Sequence, residues 1–318
     1  MKTADSVLQL IGDTPLVKLN KVTSGLKAEI WVKAEYMNPT GSIKDRVALR
    51  MIEDAERRGQ LKPGYTIVES STGNTGTSLS FVGGLKGYKV VIYETTPGMM
   101  GEEKKSLMTG YGAEVKTMSP GEYEGLGGVP GVEVELPGRR ICLALEKSDP
   151  KVWWARQFAN PSGVEAQKEM GREILEQTGG RVDAFVASIG TGGTLMGVAQ
   201  VLKGHSEKVR IVGAIPAGSK KEMKPGKPYP KTEIEGGTIA EMVMTPGLID
   251  DIVQVTDGEA VEMALRLWRE EGVFAGMSSG ANVAVALRLA EEMGRGQRVV
   301  TVMHDSGDRY LTTKHYVT

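Results

Sequence analysis

The amino-acid sequence predicts an α/β protein with two three-layer domains, each built around a mostly parallel sheet. Predicted strands and helices alternate along almost the whole chain, as they do in proteins with parallel sheets. Several predicted strands, including 183–189 and 299–303, are nearly continuous apolar runs, as expected for strands covered on both faces. The length of 318 residues is enough for about two domains. Because ligands bind at the carboxyl ends of such strands, the turns that follow strands are the first places to search for a site.

Composition and charge exclude several classes of protein. With 25% charged residues and a formal net charge of -1, the chain has no electrostatic footprint for nucleic acid or an acidic membrane surface. A single cysteine, Cys142, and only three histidines argue against a disulfide framework and against a metal site. Asp5 and Asp13 interrupt any apolar core that a signal peptide would need. We therefore expect a cytoplasmic protein that holds no metal and binds neither nucleic acid nor a membrane.

The first half of the chain alternates short strands with helices. Segment 29–35 alternates apolar and polar residues, which is typical of a strand. A helix predicted over 42–58 places Val47, Met51 and Ala55 on one face. The other strands predicted here are 16–19, 66–69, 88–94 and 113–118, and the other helices are one that ends near Leu85 and one over 101–109. Residues 119–138 are rich in Gly, Pro and Glu without a clear period, so we expect an irregular connection there.

The second half of the chain repeats this pattern. Strands are predicted at 183–189, 209–215 and 299–303, and helices at 164–177, directly after 190–194, at 257–271 and at 278–293. Residues 141–145, Trp153 and Trp154 are expected to be packed. A second long loop over 216–237 carries five lysines, namely Lys220, Lys221, Lys224, Lys227 and Lys231.

Lys44 lies in the first turn of the predicted helix 42–58, directly after the turn-forming run Asn38-Pro39-Thr40-Gly41. The partial positive charge of a helix N-terminus disfavours a second cation, so this amine should lose its proton more easily than a free lysine. A neutral amine can attack an aldehyde and form a Schiff base. The alternative is an ordinary surface lysine on an amphipathic helix.

The run Gly190-Thr191-Gly192-Gly193-Thr194 follows a predicted strand and opens a helix. Glycines let backbone N–H groups converge, and a helix N-terminus attracts an anion, so the run is a candidate phosphate cup. It is not a P-loop, because no Lys-Ser or Lys-Thr follows, and it lacks the third glycine of a dinucleotide fingerprint. The alternative is a tight strand-to-helix turn with nothing bound.

Ser70 to Gly76 forms a second turn of this kind. Small hydroxyls and glycines at a helix start can bind a carboxylate, while the amide of Asn74 can bond a neighbouring polar atom. The alternative is a Ser/Thr-rich helix cap.

A third turn, Gly276-Met277-Ser278-Ser279-Gly280-Ala281, precedes the helix predicted over 278–293. Ser278 could cap that helix, or it could offer a neutral hydrogen bond to the ring nitrogen of a ligand. A reactive lysine, a phosphate cup, a carboxylate-binding turn and a ring-nitrogen partner are together the parts of a pyridoxal-phosphate site.

The chain also resembles a known family. Its motifs are similar to those of the cysteine synthase and cystathionine β-synthase group of fold-type II pyridoxal-phosphate enzymes, which have a fold like that of the tryptophan synthase β chain. The resemblance covers nearly the whole chain in the family's order, and it rests on 11–17, 38–46, 71–76, 190–194, 276–281 and Ser306-Gly307-Asp308-Arg309-Tyr310-Leu311. The last of these motifs is more like cysteine synthases than their relatives.

The resemblance implies a role for each matching residue. Lys44 is the Schiff-base lysine, Asn74 bonds the ring hydroxyl of the cofactor, and Ser278 faces the pyridine nitrogen. The residues that hold the phosphate are Gly190, Thr191, Gly192, Gly193 and Thr194. The α-carboxylate of the substrate is bound by Ser71, Thr72 and Thr75 with the help of Gln157, and Gly236 lies where the family has a substrate loop.

The implied reaction is a β-replacement that makes L-cysteine from an activated serine and sulfide through an aminoacrylate intermediate. O-acetylserine is the default donor, and the lysines between 220 and 231 raise O-phosphoserine as a second one. The alternatives are a cystathionine β-synthase that joins serine to homocysteine, and a serine or threonine dehydratase. Ser42-Ile43-Lys44 argues against the dehydratase, which usually has Ser-Phe-Lys. A non-catalytic protein that only holds the cofactor is a further alternative.

The resemblance also implies a division of the chain and an assembly. Residues 1–38 and 148–318 are expected to form a larger domain that binds the cofactor phosphate. Residues 39–147 are expected to form a smaller domain that carries Lys44 and the carboxylate loop. The implied assembly is a homodimer.

Overall fold

The computed structural model describes residues 3–94, 101–126, 136–218 and 247–312. These residues form two compact units. The large unit contains 3–43, 164–218 and 247–312, and the small unit contains 44–94, 101–126 and 136–163. The division thus falls at 43/44 and 163/164, whereas the sequence placed it at 38/39 and 147/148. Which unit binds which part of a ligand stays a prediction.

The elements are numbered in chain order. The strands are β1 (Leu16–Lys18), β2 (Glu29–Ala34), β3 (Thr66–Ser70), β4 (Lys89–Glu94), β5 (Glu114–Thr117), β6 (Val152–Trp154), β7 (Ala184–Ser188), β8 (Arg210–Pro216), β9 (Asp251–Val255) and β10 (Arg298–Met303). The helices are α1 (Lys44–Arg57), α2 (Asn74–Leu85), α3 (Glu102–Gly110), α4 (Pro120–Gly125), α5 (Leu136–Ser148), α6 (Ser162–Thr178), α7 (Gly193–His205), α8 (Asp257–Glu271) and α9 (Met277–Glu292). Short 3₁₀ helices cover Val7–Leu10, Glu35–Met37 and Gly307–Tyr310.

The large unit is built on a six-stranded sheet with the order β1-β2-β10-β7-β8-β9. β1 pairs with β2 in the antiparallel sense, and the other neighbours are parallel. Successive residues of β7 belong to different cores. Ala184 and Val186 pack in one cluster with residues of α8 and α9, and Phe185 and Ala187 pack in another with residues of α6 and α7. The sheet is therefore covered on both faces, which explains why its central strand β7 is a nearly continuous apolar run.

The small unit is built on a parallel four-stranded sheet with the order β5-β4-β3-β6. On one face, Val68, Val91 and Trp154 pack with Cys142 of α5. On the other face lies α2, because a Cβ atom at its Gly83 would come within 2.7 Å of Val90. This unit too has three layers, so the predicted α/β class with mostly parallel sheets is confirmed.

Some predicted elements need correction. The prediction of an irregular connection over 119–138 was wrong in two places, because α4 and the start of α5 lie within this segment. Ser119 accepts the N–H of Glu122, the side chain of Glu122 returns to the N–H of Ser119, and Pro120 occupies the first helical position. This capping box was visible in the sequence and outweighs the glycine content around it. Residues 141–145 are packed, but as part of α5, and β9 was not predicted.

Candidate active site

The turn that precedes Lys44 is held by buried hydrogen bonds of the large unit. Asn38 donates from Nδ2 to Oε2 of Glu35 at 2.8 Å, and Glu35 is fully buried. The N–H of Ile43 donates to the backbone carbonyl of His304 at 2.8 Å. The backbone on the N-terminal side of Lys44 is therefore fixed both by a neighbouring side chain and by a partner that is distant in the sequence.

Lys44 is the first residue of α1, two residues later than the predicted start, and so lies in the first turn as predicted. The next residue, Asp45, is fully buried and accepts a hydrogen bond from Oγ of Ser78 at 2.6 Å. That bond joins α1 to α2, and Asn74 is the first residue of α2. The predicted Schiff-base lysine and the predicted partner of the ring hydroxyl thus begin two helices that are tied to each other within the small unit.

The loop between β3 and α2 makes hydrogen bonds of its own. Oγ of Ser71 accepts the N–H of Gly73 at 3.2 Å and the N–H of Gly76 at 3.1 Å. The N–H of Ser71 donates to the backbone carbonyl of Tyr93 at 3.2 Å. Burial raises the pKa of the Tyr93 phenol, so this side chain is neutral. Gly73 occupies the capping position of α2, so Ser71 is not the cap, although its oxygen accepts an N–H of the first turn. The hydroxyl hydrogen of Ser71 can still be donated to a ligand.

Gln157 is distant in the chain and forms hydrogen bonds to both ends of this loop. Thr75 donates from Oγ1 to Oε1 of Gln157 at 2.6 Å, across a sequence separation of 82. Gln157 in turn donates from Nε2 to the carbonyl of Ser70 at 2.8 Å. The structure thus brings together the four residues predicted to bind the α-carboxylate, which we call the amino-acid seat: Ser71, Thr72, Thr75 and Gln157.

Glu69 lies under the amino-acid seat and was missed by the sequence analysis. It is fully buried. Its Oε1 accepts the N–H of Ser70 at 2.8 Å and Nε1–H of Trp154 at 3.0 Å, and its Oε2 accepts the N–H of Gln157 at 2.9 Å. An acidic residue inside an apolar strand, directly before a glycine-rich turn, was the signal that could have found it. A buried carboxylate persists because such donors replace its water.

The loop 190–194 of the large unit runs from β7 into α7. Gly192 precedes the helix with φ 88°, a left-handed conformation that glycine adopts without strain. The first N–H groups of a helix have no partner inside it, and here they belong to Gly193, Thr194 and Leu195. Gly193 is 3.4 Å from Oγ1 of Thr191, and Gly190 is exposed. The loop therefore presents backbone donors and two hydroxyls at a positive helix end, which is the donor set that a phosphate requires.

Ser278 is the second residue of α9, and Gly276 occupies the capping position. The alternative in which Ser278 caps this helix is therefore wrong. Ser278 instead lines a cavity of about 210 Å³ within the large unit. Residues at the carboxyl ends of three adjacent strands line the same cavity, namely Ser188, Pro216 and Val255. The cavity thus lies where ligands of parallel sheets bind, next to the start of the 190–194 loop.

The remaining predictions concern other parts of the chain. Gly236 and the lysines between 220 and 231 lie outside the described residues. Within the described ranges, no three His, Cys, Asp or Glu side chains are grouped as a metal would need. Among the same residues, we find no helix with the length and apolar character that crossing a membrane demands.

Comparison with known proteins identifies the family. A family model described as pyridoxal-phosphate dependent enzyme matches residues 7–305. The chain belongs to this family. The predicted family resemblance and the predicted cofactor, pyridoxal phosphate, are therefore confirmed.

Individual members of the pyridoxal-phosphate family are similar over the full chain. A cysteine synthase from Staphylococcus aureus is 42% identical over 99% of this chain and 98% of its own length. The crystal structure of a cysteine synthase from Entamoeba histolytica has a TM-score of 0.85 and 32% identity, covering 99% of this chain and 91% of that one. An O-ureido-L-serine synthase structure has a TM-score of 0.84 and 34% identity, covering 99% and 96%.

The residues of the large unit fit the cofactor of this family. The first turn of α7 offers N–H donors that no helical carbonyl takes up. The adjacent cavity is lined by apolar side chains and by the polar residues Ser188, Thr256, Asp257 and Ser278. A phosphorylated aromatic aldehyde needs both of these features, namely donors for its phosphate and a largely apolar wall with polar partners for its ring.

Proposed function

We propose that this enzyme makes L-cysteine by β-replacement, from an activated serine and sulfide, with pyridoxal phosphate as its cofactor. The full-length similarity to a cysteine synthase supports this function. The observation that carries it is the amino-acid seat, in which Gln157 and Thr75 are locked together by a 2.6 Å hydrogen bond next to Ser71. A seat of hydroxyl, amide and backbone donors suits the α-carboxylate of an amino acid.

We propose the following residues for the cofactor. Lys44 forms the Schiff base through its Nζ, Asn74 bonds the ring hydroxyl, and Ser278 faces the pyridine nitrogen. The phosphate is held by Gly190, Thr191, Gly192, Gly193 and Thr194. When bound, the cofactor withdraws electrons from the α-carbon of the amino acid, which allows a β-substituent to leave.

The protein's own residues then orient the substrate and move its proton. Ser71, Thr72, Thr75 and Gln157 bind the α-carboxylate and so fix the α-carbon. With the cofactor bound, the Nζ amine of Lys44 would be the base that accepts the α-proton of the substrate. Ser278 offers a neutral hydroxyl in place of a carboxylate, so it does not fully protonate the ring nitrogen. This limits electron withdrawal and favours loss of the β-substituent over transamination.

The donor and the acceptor are the finer parts of the proposal. O-acetylserine is the donor we expect first, and O-phosphoserine is the second, because of the lysines between 220 and 231. Gly236 is proposed as a further substrate contact by the family resemblance. Assembly as a homodimer remains a prediction that rests on the same resemblance. A cytoplasmic location remains a prediction that rests on the single cysteine and on the N-terminal sequence.

Product analysis of the purified, cofactor-loaded enzyme tests this function. We expect cysteine from sulfide and one of the activated serines, with the faster donor identified by steady-state rates. Cystathionine from serine and homocysteine would instead establish the alternative synthase, and pyruvate alone would establish a dehydratase. Absence of all three products from the loaded enzyme would overturn the proposal.

The role of Lys44 is tested by Lys44→Ala. We expect the visible absorption of the lysine-bound cofactor to disappear and turnover to fall by about a thousandfold or more, because no other residue is proposed to take the α-proton. Lys105→Ala is the matched control, since it removes one lysine of α3 outside the proposed site, and it should leave both properties within about twofold. An unchanged spectrum in Lys44→Ala would remove Lys44 from this role.

A further inference from the structure

A lysine of α3 lies beside the amino-acid seat, and neither the sequence motifs nor the family resemblance assigns it a role. Within the small unit, α3 packs along the first turns of α2. A Cβ atom at Gly76 would come within 2.8 Å of Cε of Met108, so the two helices approach closely there. One turn earlier on α3, the distal side chain of Lys104 passes over Gly73, and its Cδ, Cε and Nζ lie 3.7, 3.9 and 4.0 Å from an ideal Cβ at that glycine.

Gly73 is part of the loop that carries the amino-acid seat. It stands between Thr72 and Asn74, directly before the first residue of α2. The ammonium of Lys104 is therefore placed beside the backbone to which a substrate carboxylate would bind. Lys104 is only 8% exposed, whereas its neighbour Lys105 on the same helix is half-buried. The three atoms nearest to a Cβ at Gly73 all belong to Lys104.

The charge of Lys104 adds to a field that is already positive at that place. The N-terminus of α2 carries a partial positive charge, and a full positive charge next to it adds to the same field. Two positive features at one point favour a bound anion, and partial burial strengthens the attraction because less water screens it. A lysine ammonium is a point charge with three rotatable donors, which suits a carboxylate that arrives with the substrate.

We propose that Lys104 is a further substrate-binding residue, whose ammonium attracts the α-carboxylate of the amino acid to the Ser71–Thr75 loop. This inference rests on the proposed function, because it takes the carboxylate of an amino acid as the ligand of that loop. Lys104 attracts the carboxylate by its charge. The hydroxyl and amide donors of the seat orient the carboxylate through directional hydrogen bonds. Removal of the charge should therefore weaken only those ligands that carry a carboxylate.

The test compares two ligands of the cofactor-loaded enzyme by calorimetric titration. L-serine carries the carboxylate, and L-serinamide replaces it with a neutral amide of nearly the same size. We expect Lys104→Met to weaken L-serine binding about tenfold and to change L-serinamide binding less than twofold. Lys104→Gln, which is neutral but polar, should behave alike, and it carries the test if the methionine variant does not fold.

Two further variants separate charge from packing. Lys104→Arg keeps the charge and should stay within about threefold of the unmodified enzyme for L-serine. Lys105→Met removes a neighbouring charge of α3 and should change neither ligand. Equal weakening of both ligands would show a structural role only, and an unchanged L-serine affinity in both neutral variants would overturn the inference directly.

A failure of the proposed function gives a different result. If the loaded, unmodified enzyme binds neither L-serine nor O-acetylserine, the amino-acid seat is wrong, and the role of Lys104 falls with it. If the unmodified enzyme binds L-serine well above L-serinamide and the neutral variants keep that preference, only the role of Lys104 falls.

Discussion

The amino-acid seat and the 190–194 loop are built in opposite ways. In the seat, polar side chains bond to one another over a buried carboxylate, as shown by Thr75, Gln157 and Glu69. In the loop, the donors are mostly backbone N–H groups at the start of α7, and the neighbouring Ser278 faces a cavity. The seat thus holds its shape through side chains, and the loop holds its shape through the backbone. Substitutions should therefore act through lost hydrogen bonds in the seat and through backbone strain in the loop.

The largest effect on folding is expected from Glu69→Ala. This change leaves the N–H of Ser70, the indole N–H of Trp154 and the N–H of Gln157 without their acceptor. Each buried donor without a partner costs about 1–3 kcal/mol, so the free energy of unfolding should fall by roughly 3–5 kcal/mol. Urea denaturation of the cofactor-free protein measures it.

Glu69→Gln is the control for size. It keeps one accepting oxygen and loses the other, so we expect about half of the loss seen in Glu69→Ala. If Glu69→Ala unfolds within about 1 kcal/mol of the unmodified protein, the seat does not depend on this carboxylate, and the contrast with the loop is wrong.

A smaller effect is expected from Gly192→Ala. The φ of 88° at this position costs a residue with a Cβ about 1–2 kcal/mol, and the strain falls on the backbone that presents the N–H donors. Gly190→Ala is the matched control, because an added Cβ there meets nothing within 4 Å. Thermal unfolding of the two cofactor-free variants should separate them, and equal melting temperatures would contradict the strain argument.

The smallest effect is expected from Ser278→Ala. Because Gly276 occupies the capping position of α9, loss of the Ser278 hydroxyl should change the free energy of unfolding by less than about 0.5 kcal/mol. Thr256→Ala removes a true cap, since Thr256 and Glu259 form the capping box of α8, and it should cost about 1 kcal/mol. A loss in Ser278→Ala as large as that in Thr256→Ala would restore a capping role for Ser278. A shifted absorption of the bound cofactor in Ser278→Ala would support its role at the ring nitrogen.

Local patterns predicted most of the elements because their signals lie within a few residues. The spacing of apolar residues predicts the alternating strands and helices, including the helix that contains Lys44. The run of glycines predicts the turn after β7. The same kind of signal was present for α4, where Ser119 and Glu122 form a capping box, but the surrounding glycines obscured it. The information that specifies α4 is therefore local, as it is for the other helices.

The sequence by itself determined the fold class and the cofactor, and it named Lys44, Asn74 and Ser278 as candidate cofactor residues. It did so because motifs such as 190–194 and Ser71 to Gly76 carry their chemistry in adjacent residues. Tertiary structure alone decided that Gln157 locks Thr75, that Glu69 supports both, and that Lys104 lies over Gly73. These contacts join residues that are far apart in the chain. Only the pairing of β3 with β6 and the packing of α2 and α3 within the small unit bring such residues together. The physical reason is that a hydrogen bond or a charge acts over a few ångströms of space, whatever the distance along the chain.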